Sequence, residues 1–320
     1  MLNICQVSLK GNIPIILENL KNFNRHYNSN KFYIVCPQKD KKIFENRLKR
    51  KNIIIICENS LISFKRFKDI SNIYLKKTKY FKIIQNRLSW YYQQILKISF
   101  MIDFVEKNQQ SLIIWDADTI LINKLEFNNQ KFSNYYGTTS YFHKAYYYTN
   151  KDILGELPAY YISSLAQFIS ASPLEISFLI TKLRKKEKRI KNTSEWITNI
   201  VMHSIAKSHI SYNGSLFSEY ELIGQSNLLF NYKKQILVSG IRDFLSGRLT
   251  KFQIKILKIL GFKYIAYEHT HPNSYSKNML TRYQPWIKFI HILLKKMSNN
   301  IYRGLKHHIC FFLKINRTNI

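Results

Sequence analysis

The chain has 320 residues, 46% of them hydrophobic and 15% aromatic, which is ample for a core and excludes global disorder. With 50 Lys and Arg against 19 Asp and Glu, its formal charge of +31 attracts anions: nucleic acid, anionic lipid or phosphorylated small molecules. Four cysteines (Cys5, Cys36, Cys57 and Cys310) with no C-x-x-C pair argue against a disulfide scaffold or zinc site and point to a reducing compartment. The wealth of Lys, Asn, Ile, Tyr and Phe is also what A/T-rich codons write, so the charge supports an acidic partner without choosing one. The opening MLNICQVSLKGN has no signal-like pattern, and no run approaches the roughly 18 apolar residues of a membrane span.

In chain order, NICQVSL reads as a strand and IPIILENLKNFNRH as a helix. KFYIVCP is a second strand, KDKKIFENRLKRK a charged amphipathic helix, and NIIIICE a third strand, apolar enough for burial on both faces. This alternation predicts an α/β domain with a mostly parallel sheet covered by helices. Residues 63–82 are basic and poorly periodic, and read as a loop. IIQNRLSWYYQQILKISFMIDFVEKN reads as one long helix, SLIIWDADTILI as a strand and YYGTTSY as another. Helices are expected over 174–190, over 194–207 and at EYELIGQSNLL, followed by strand-like KQILVSG. From Pro285 the chain is basic and amphipathic. The expected organisation is a domain over 1–284, with halves 1–125 and 126–284, and a helical C-terminal extension over 285–320.

Asp116 and Asp118 end one of the most apolar runs in the chain. A buried, unpaired carboxylate costs several kcal/mol, roughly, and a lone Asp at a strand end is ordinarily a cap. In an extended chain, residues i and i+2 point to the same side, so the pair needs a cation between them. Mg²⁺ or Mn²⁺ suits two carboxylates plus substrate phosphates, and ligands of open parallel sheets bind outside the carboxyl ends of strands. Upstream, Trp90, Gln93, Gln94 and Lys97 share one helical face. Two amides and an ammonium are unusual on a core-facing stripe. They imply either polar partners, such as the aspartates and an anionic nucleotide, or a solvated face.

NRLSWYYQQILKI, IIWDADTILIN, YFHKAYYYTN and FSEYELIGQ, in that order, resemble a family of bacterial glycosyltransferase-like proteins of capsule and lipopolysaccharide loci. That family is similar to nucleotide-sugar transferases of the GT-A fold, whose Asp-x-Asp holds a divalent cation on the donor diphosphate. The resemblance covers about residues 1 to 230. It implies that residues 1–125 form the nucleotide-sugar half and 126–284 the acceptor half. It also implies that Asp116 and Asp118 bind Mn²⁺ or Mg²⁺, and that Arg87, Trp90, Gln93, Gln94 and Lys97 form the helix serving the donor. Glu219, Glu221 and Gly224 match the family's SE-E-G segment. The stretch AQFISASPLEI departs from the family, lacking its histidine, so acceptor contacts there are not carried over.

Inverting transfer requires a base on the acceptor hydroxyl, and Glu219 and Glu221 are the candidates; retaining transfer requires none. Ser218 to Glu221 is also S-x-x-E, a capping box that would occupy Glu221 and leave Glu219 free to face the cleft. His269 and His271 are candidates for a further metal ligand, or ordinary loop histidines. His143, beside a run of tyrosines, either lines an acceptor cleft or is structural. Residues 285–316 either lie on an anionic bilayer, at the inner face of the cytoplasmic membrane beside a lipid-linked acceptor, or cover the core. The expected function is metal-dependent glycosyl transfer from a nucleotide sugar to a glycan or lipid-linked acceptor. The rivals are an inactive transferase-like binding protein and a nucleic-acid-binding protein. The last lacks helix-turn-helix, zinc-finger and RNP signatures.

Overall fold

The structure is a computed structural model. It describes residues 1–127, 143–158, 163–208, 215–230, 240–241 and 249–267, with the strands Tyr135–Gly137 and Ile236–Val238. The chain divides into two compact units, Met1–Arg242 with Thr250–Ala266, and Asp243–Leu249 with Tyr267–Ile320. Nearly all of the second unit lies outside the described residues, and with it His269, His271 and the 285–320 segment. Among the described residues no helix is long and apolar enough to cross a membrane.

The first unit alternates strand and helix as its hydrophobic pattern requires. β1 (Leu2–Val7), α1 (Ile13–His26), β2 (Asn30–Cys36), α2 (Lys41–Arg47) and β3 (Ile53–Cys57) are followed by α3 (Phe64–Leu75), α4 (Phe81–Gln85), α5 (Leu88–Asn108) and β4 (Leu112–Trp115). Then come β5 (Thr119–Leu121), β6 (Tyr135–Gly137), α6 (Lys144–Leu154), β7 (Phe168–Ala171), α7 (Pro173–Lys186) and α8 (Thr193–Lys207). α9 (Glu219–Phe230), β8 (Ile236–Val238), β9 (Gly240–Ile241), α10 (Lys251–Ile259) and β10 (Tyr264–Ala266) complete the described α-helices and strands. The main sheet has the order β3-β2-β1-β4-β7, parallel except where β7 runs against β4. β5, β10 and β9 form a second sheet, and β6 pairs with β8.

The architecture is therefore mixed α/β with a mostly parallel central sheet, as the alternation predicts. Successive strand residues feed opposite cores: Ile4, Ile34 and Ile113 pack under α1, whereas Cys5, Val35 and Ile114 join the cluster built from α3, α5, α7, α8 and α9. Both faces of the sheet are thus covered. From β1 the chain passes to β2 on one side, while β4 lies on the other. The β1/β4 boundary is a topological switch point, where open α/β sheets leave a crevice at their carboxyl ends.

Four local expectations are corrected. Residues 63–82 hold α3 and the start of α4, not a loop: Ser63 caps α3 by accepting from the Arg66 N–H at 3.2 Å, and Phe67, Ile70 and Leu75 turn into the core beneath an outer face that carries Lys65, Arg66 and Lys68. The long helix is interrupted at Asn86–Arg87, between α4 and α5. β3 is not buried on both faces. It is the edge of the main sheet, and Ile54 is exposed. SLIIWDADTILI is not one strand either: its first half belongs to the main sheet and its last residues to the second.

Candidate active site

The aspartates sit on the turn that carries the chain from one sheet to the other. The Thr119 N–H donates to the Asp116 carbonyl at 3.1 Å, closing a four-residue turn. The Trp115 indole N–H donates to the Thr119 carbonyl at 2.7 Å, and the Asp116 N–H donates to the Gln167 carbonyl at 3.0 Å. A turn, not the alternation of an extended strand, brings the two carboxylates together, which corrects the geometry inferred from the i, i+2 spacing. Gln167 itself has a φ of 63°, a left-handed conformation unusual for a residue with a side chain. Its carbonyl also accepts from the Tyr220 hydroxyl at 3.4 Å.

The polar stripe of α5 points at this turn. Lys97 is buried, and its ammonium donates to Asp116 Oδ1 at 2.5 Å and to Glu219 Oε1 at 2.7 Å. The Tyr220 hydroxyl donates to the same Asp116 oxygen at 2.6 Å, and Lys97 Nζ lies 4.8 Å from the centre of the Tyr220 ring. Gln94 Oε1 accepts from the Glu219 N–H at 3.1 Å, meeting one of the donors that the first turn of a helix leaves unpaired. Gln93 Nε2 donates to the Val7 carbonyl at 3.2 Å, at the carboxyl end of β1. Nearer solvent, the Arg87 guanidinium lies 5.0 Å from the Trp90 ring, and so belongs to the same stripe. Of the predicted residues, the fold brings Lys97, Gln94, Asp116 and Glu219 into one hydrogen-bonded cluster, with Asp118 on the same turn. Gln93 braces β1.

The electrostatics follow from burial. Desolvation disfavours the Lys97 ammonium, but Asp116 and Glu219 outweigh it and hold the lysine pKa above its usual value. Burial raises the Glu219 carboxyl, with partial relief from Lys97. Asp118 is pushed up to about 7, first by burial and then by the negative charge of Asp116, against a smaller pull from Lys97. Its Oδ1 accepts from the Thr119 hydroxyl at 3.2 Å. Burial, then Asp116, raises the Tyr220 phenol.

Glu219 is therefore not free to face a cleft: it lies in the first turn of α9, buried against Lys97. Glu221 makes only half of the expected capping box. Its N–H donates to Ser218 Oγ at 3.4 Å, but its buried carboxylate turns to the Ser163 hydroxyl at 2.7 Å. His143 caps α6, its Nδ1 accepting from the Tyr146 N–H at 3.5 Å, and stacks on the Tyr146 ring; burial lowers its pKa. Tyr220 and Gln167 join the cluster without being candidates on sequence grounds. Tyr220 carried a signal, since it lies between two acidic residues at the start of a helix. A bent backbone at Gln167 carries none.

Among the described residues no three His, Cys, Asp or Glu side chains gather into a metal-holding group. Asp116 and Asp118 still fit a divalent ion that takes its remaining ligands from phosphate and water. Lys97 and Tyr220 reach only one Asp116 oxygen, Asp118 shares the turn, and the acids of the cluster outnumber its one cation.

Fold and site together describe an α/β protein with paired carboxylates at the switch point of a mostly parallel sheet. The chain belongs to a family of unknown function (DUF6492), whose model matches residues 8–238. No curated protein matches it. Among solved structures it is similar to the galactosyltransferase LgtC in complex with donor and acceptor sugar analogs, at 11% identity and a TM-score of 0.40, over 91% of this chain and 95% of that one. It is also similar to mouse xyloside xylosyltransferase 1 in its apo form, at 8% identity and a TM-score of 0.44, over 85% of this chain and 98% of that one. An active-site mutant of LgtC matches at 10% identity and a TM-score of 0.43, over 92% and 96% of the two chains.

Proposed function

We propose that this protein is a metal-dependent glycosyltransferase that moves a sugar, of hexosyl type, from a nucleotide sugar to a glycan or lipid-linked acceptor in bacterial surface-polysaccharide synthesis. The observation that carries the reading is the position of Asp116 and Asp118, on a closed turn at the carboxyl end of β4 beside the end of β1. The sequence motifs shared with glycosyltransferase-like proteins, and the GT-A likeness they imply, supply the substrate class.

In this reading Asp116 and Asp118 hold Mn²⁺ or Mg²⁺ together with the donor diphosphate. Bound there, the ion supplies Lewis-acid neutralisation of the leaving nucleoside diphosphate. Lys97 serves the donor indirectly in this reading, because its ammonium is bonded to Asp116 and Glu219. It holds Asp116 in one orientation, with Tyr220 as its second brace, and Glu219 keeps the lysine charged where burial would discharge it. Glu219 and Glu221 are committed to Lys97 and Ser163, so this reading assigns neither the removal of the acceptor proton. In the same reading Arg87 and Trp90, at the outer end of the stripe, meet the donor from the solvent side. His269 and His271, the further ligands expected from the sequence, lie outside the described residues and are assigned no part here.

The test is a thermal-shift screen of nucleotide sugars with and without Mn²⁺, on the native chain and on Asp118→Asn. Stabilisation of several degrees that needs both the metal and Asp118 is expected, and the best ligand identifies the donor. A donor that stabilises both proteins equally, or no stabilising donor at all, would sink the assignment.

A further inference from the structure

Helix α10 is fixed at both ends and greasy on its outer side. Thr250 and Gln253 form a reciprocal capping box, with the Thr250 N–H donating to Gln253 Oε1 at 2.9 Å and the Gln253 N–H to Thr250 Oγ1 at 3.3 Å. At the other end Gly261 takes a φ of 77°, and the Phe262 N–H returns to the Leu257 carbonyl at 3.0 Å. Asn123 then clamps this end, donating to the carbonyls of Lys258 at 3.0 Å and Phe262 at 2.7 Å. The inward side is Gln253 and Leu257. On the outward side Ile259 is 76% exposed, Phe252 62% and Leu260 43%, with Lys251 and Lys255 exposed among them. Outward helix faces are ordinarily polar.

The surroundings select the occupant. Residues 249–267 contain four lysines and no acidic residue. Lys124 and Arg25 extend the positive surface: together with Lys258 they surround His26, and Lys263 Nζ donates to the Lys124 carbonyl at 3.1 Å. A second copy would set lysine against lysine. Residues 268–320 carry one acidic residue, Glu268, against nine Lys and Arg, so the chain's own end is a poor electrostatic match.

We infer that the outer face of α10 docks on an anionic lipid bilayer, with Ile259 and Leu260 entering the acyl boundary while Lys251 and Lys255 reach the head groups. Side chains of both kinds on one helix face suit that interface, where apolar atoms are buried and ammonium groups stay at head-group level. The inference is independent of the transferase reading and needs no donor to test.

The experiment uses the full chain and sedimentation with vesicles of phosphatidylcholine, alone or mixed with phosphatidylglycerol. Binding is expected only with the anionic lipid and should weaken as salt is raised. The double variant Lys255→Glu, Ile259→Glu is expected to lose about tenfold in partitioning while its melting temperature stays at the native value. Partitioning equal to the native chain's would overturn the proposal. A second readout places a polarity-sensitive fluorophore at Ile259→Cys, with Cys57 and Cys310 replaced by Ser. Its emission is expected to shift to the blue only when anionic vesicles are added. Emission already blue in buffer, as when another part of the chain or a second copy covers the face, would equally refute it.

Discussion

Helix α5 carries a lysine into the protein, whereas α10 carries an isoleucine and the leucine that follows it out to the surface. Partners account for the difference. Lys97 enters the core because Asp116 and Glu219 meet it there within 2.5 and 2.7 Å, and an ammonium so paired keeps its charge against desolvation. Ile259 and Leu260 face outward at the end of a helix that Asn123 clamps from outside. A residue on the unexpected side of a helix is thus informative in both directions: the buried cation reports anions already folded in, and the exposed aliphatics report a surface still to be met.

Substitution of Lys97 should break this comparison most severely. Lys97→Met leaves the buried Glu219 and the half-buried Asp116 without their cation and is expected to cost about 3–5 kcal/mol in urea unfolding, with Lys97→Met, Glu219→Gln recovering part of it. A loss below about 1 kcal/mol would show that the ion pair is effectively solvated.

The next effect is on pH dependence. The Asp118 carboxyl binds its proton more tightly folded, at about 7, than unfolded, near the ordinary aspartate value. The folded state therefore holds the extra proton between these limits, and stability falls as pH rises from about 4 to 7, then levels off. Roughly 3–4 kcal/mol is expected across that range. Asp118→Asn should remove the slope, and its persistence in that variant would assign it to another group.

A smaller effect tests how closely α9 must approach to present Glu219 to α5. A Cβ added at Gly224 would lie 1.8 Å from Ser164 Oγ, a buried atom with little room to retreat. Gly224→Ala is expected to cost about 1–2 kcal/mol, relieved by adding Ser164→Gly. Smallest of all, Ile259→Glu should change stability by no more than about 0.5 kcal/mol, because the site is exposed. A large loss would mean that the outer face of α10 is core.

Much of the fold was legible because it rests on local pattern. Runs such as KFYIVC and the periodicity of α1, α7, α8 and α9 are decided within a few residues of chain. The shared face of Trp90, Gln93, Gln94 and Lys97 was legible for the same reason. Its partners were not: the lysine's two acids lie 19 and 122 residues away, and only the tertiary fold brings them to it. α3 was hidden because its outward lysines blur the apolar stripe that Phe67, Ile70 and Leu75 form. β3 looked central because an isoleucine run says nothing about whether a second neighbour exists. The aspartate turn was missed because apolar residues on both sides of Asp-Ala-Asp read as one uninterrupted strand, and only the change of sheet reveals the corner.

That corner has a consequence for recognition. Its first residue is tied to β4, its last to β5, and the Trp115 indole spans the two, so neither carboxylate can drift without moving a sheet. The entropy of arranging these oxygens is spent during folding, which leaves little reorganisation to a guest ligand. A single glycine inserted after Ala117 would return that slack and turn a rigid receptor into an induced-fit one.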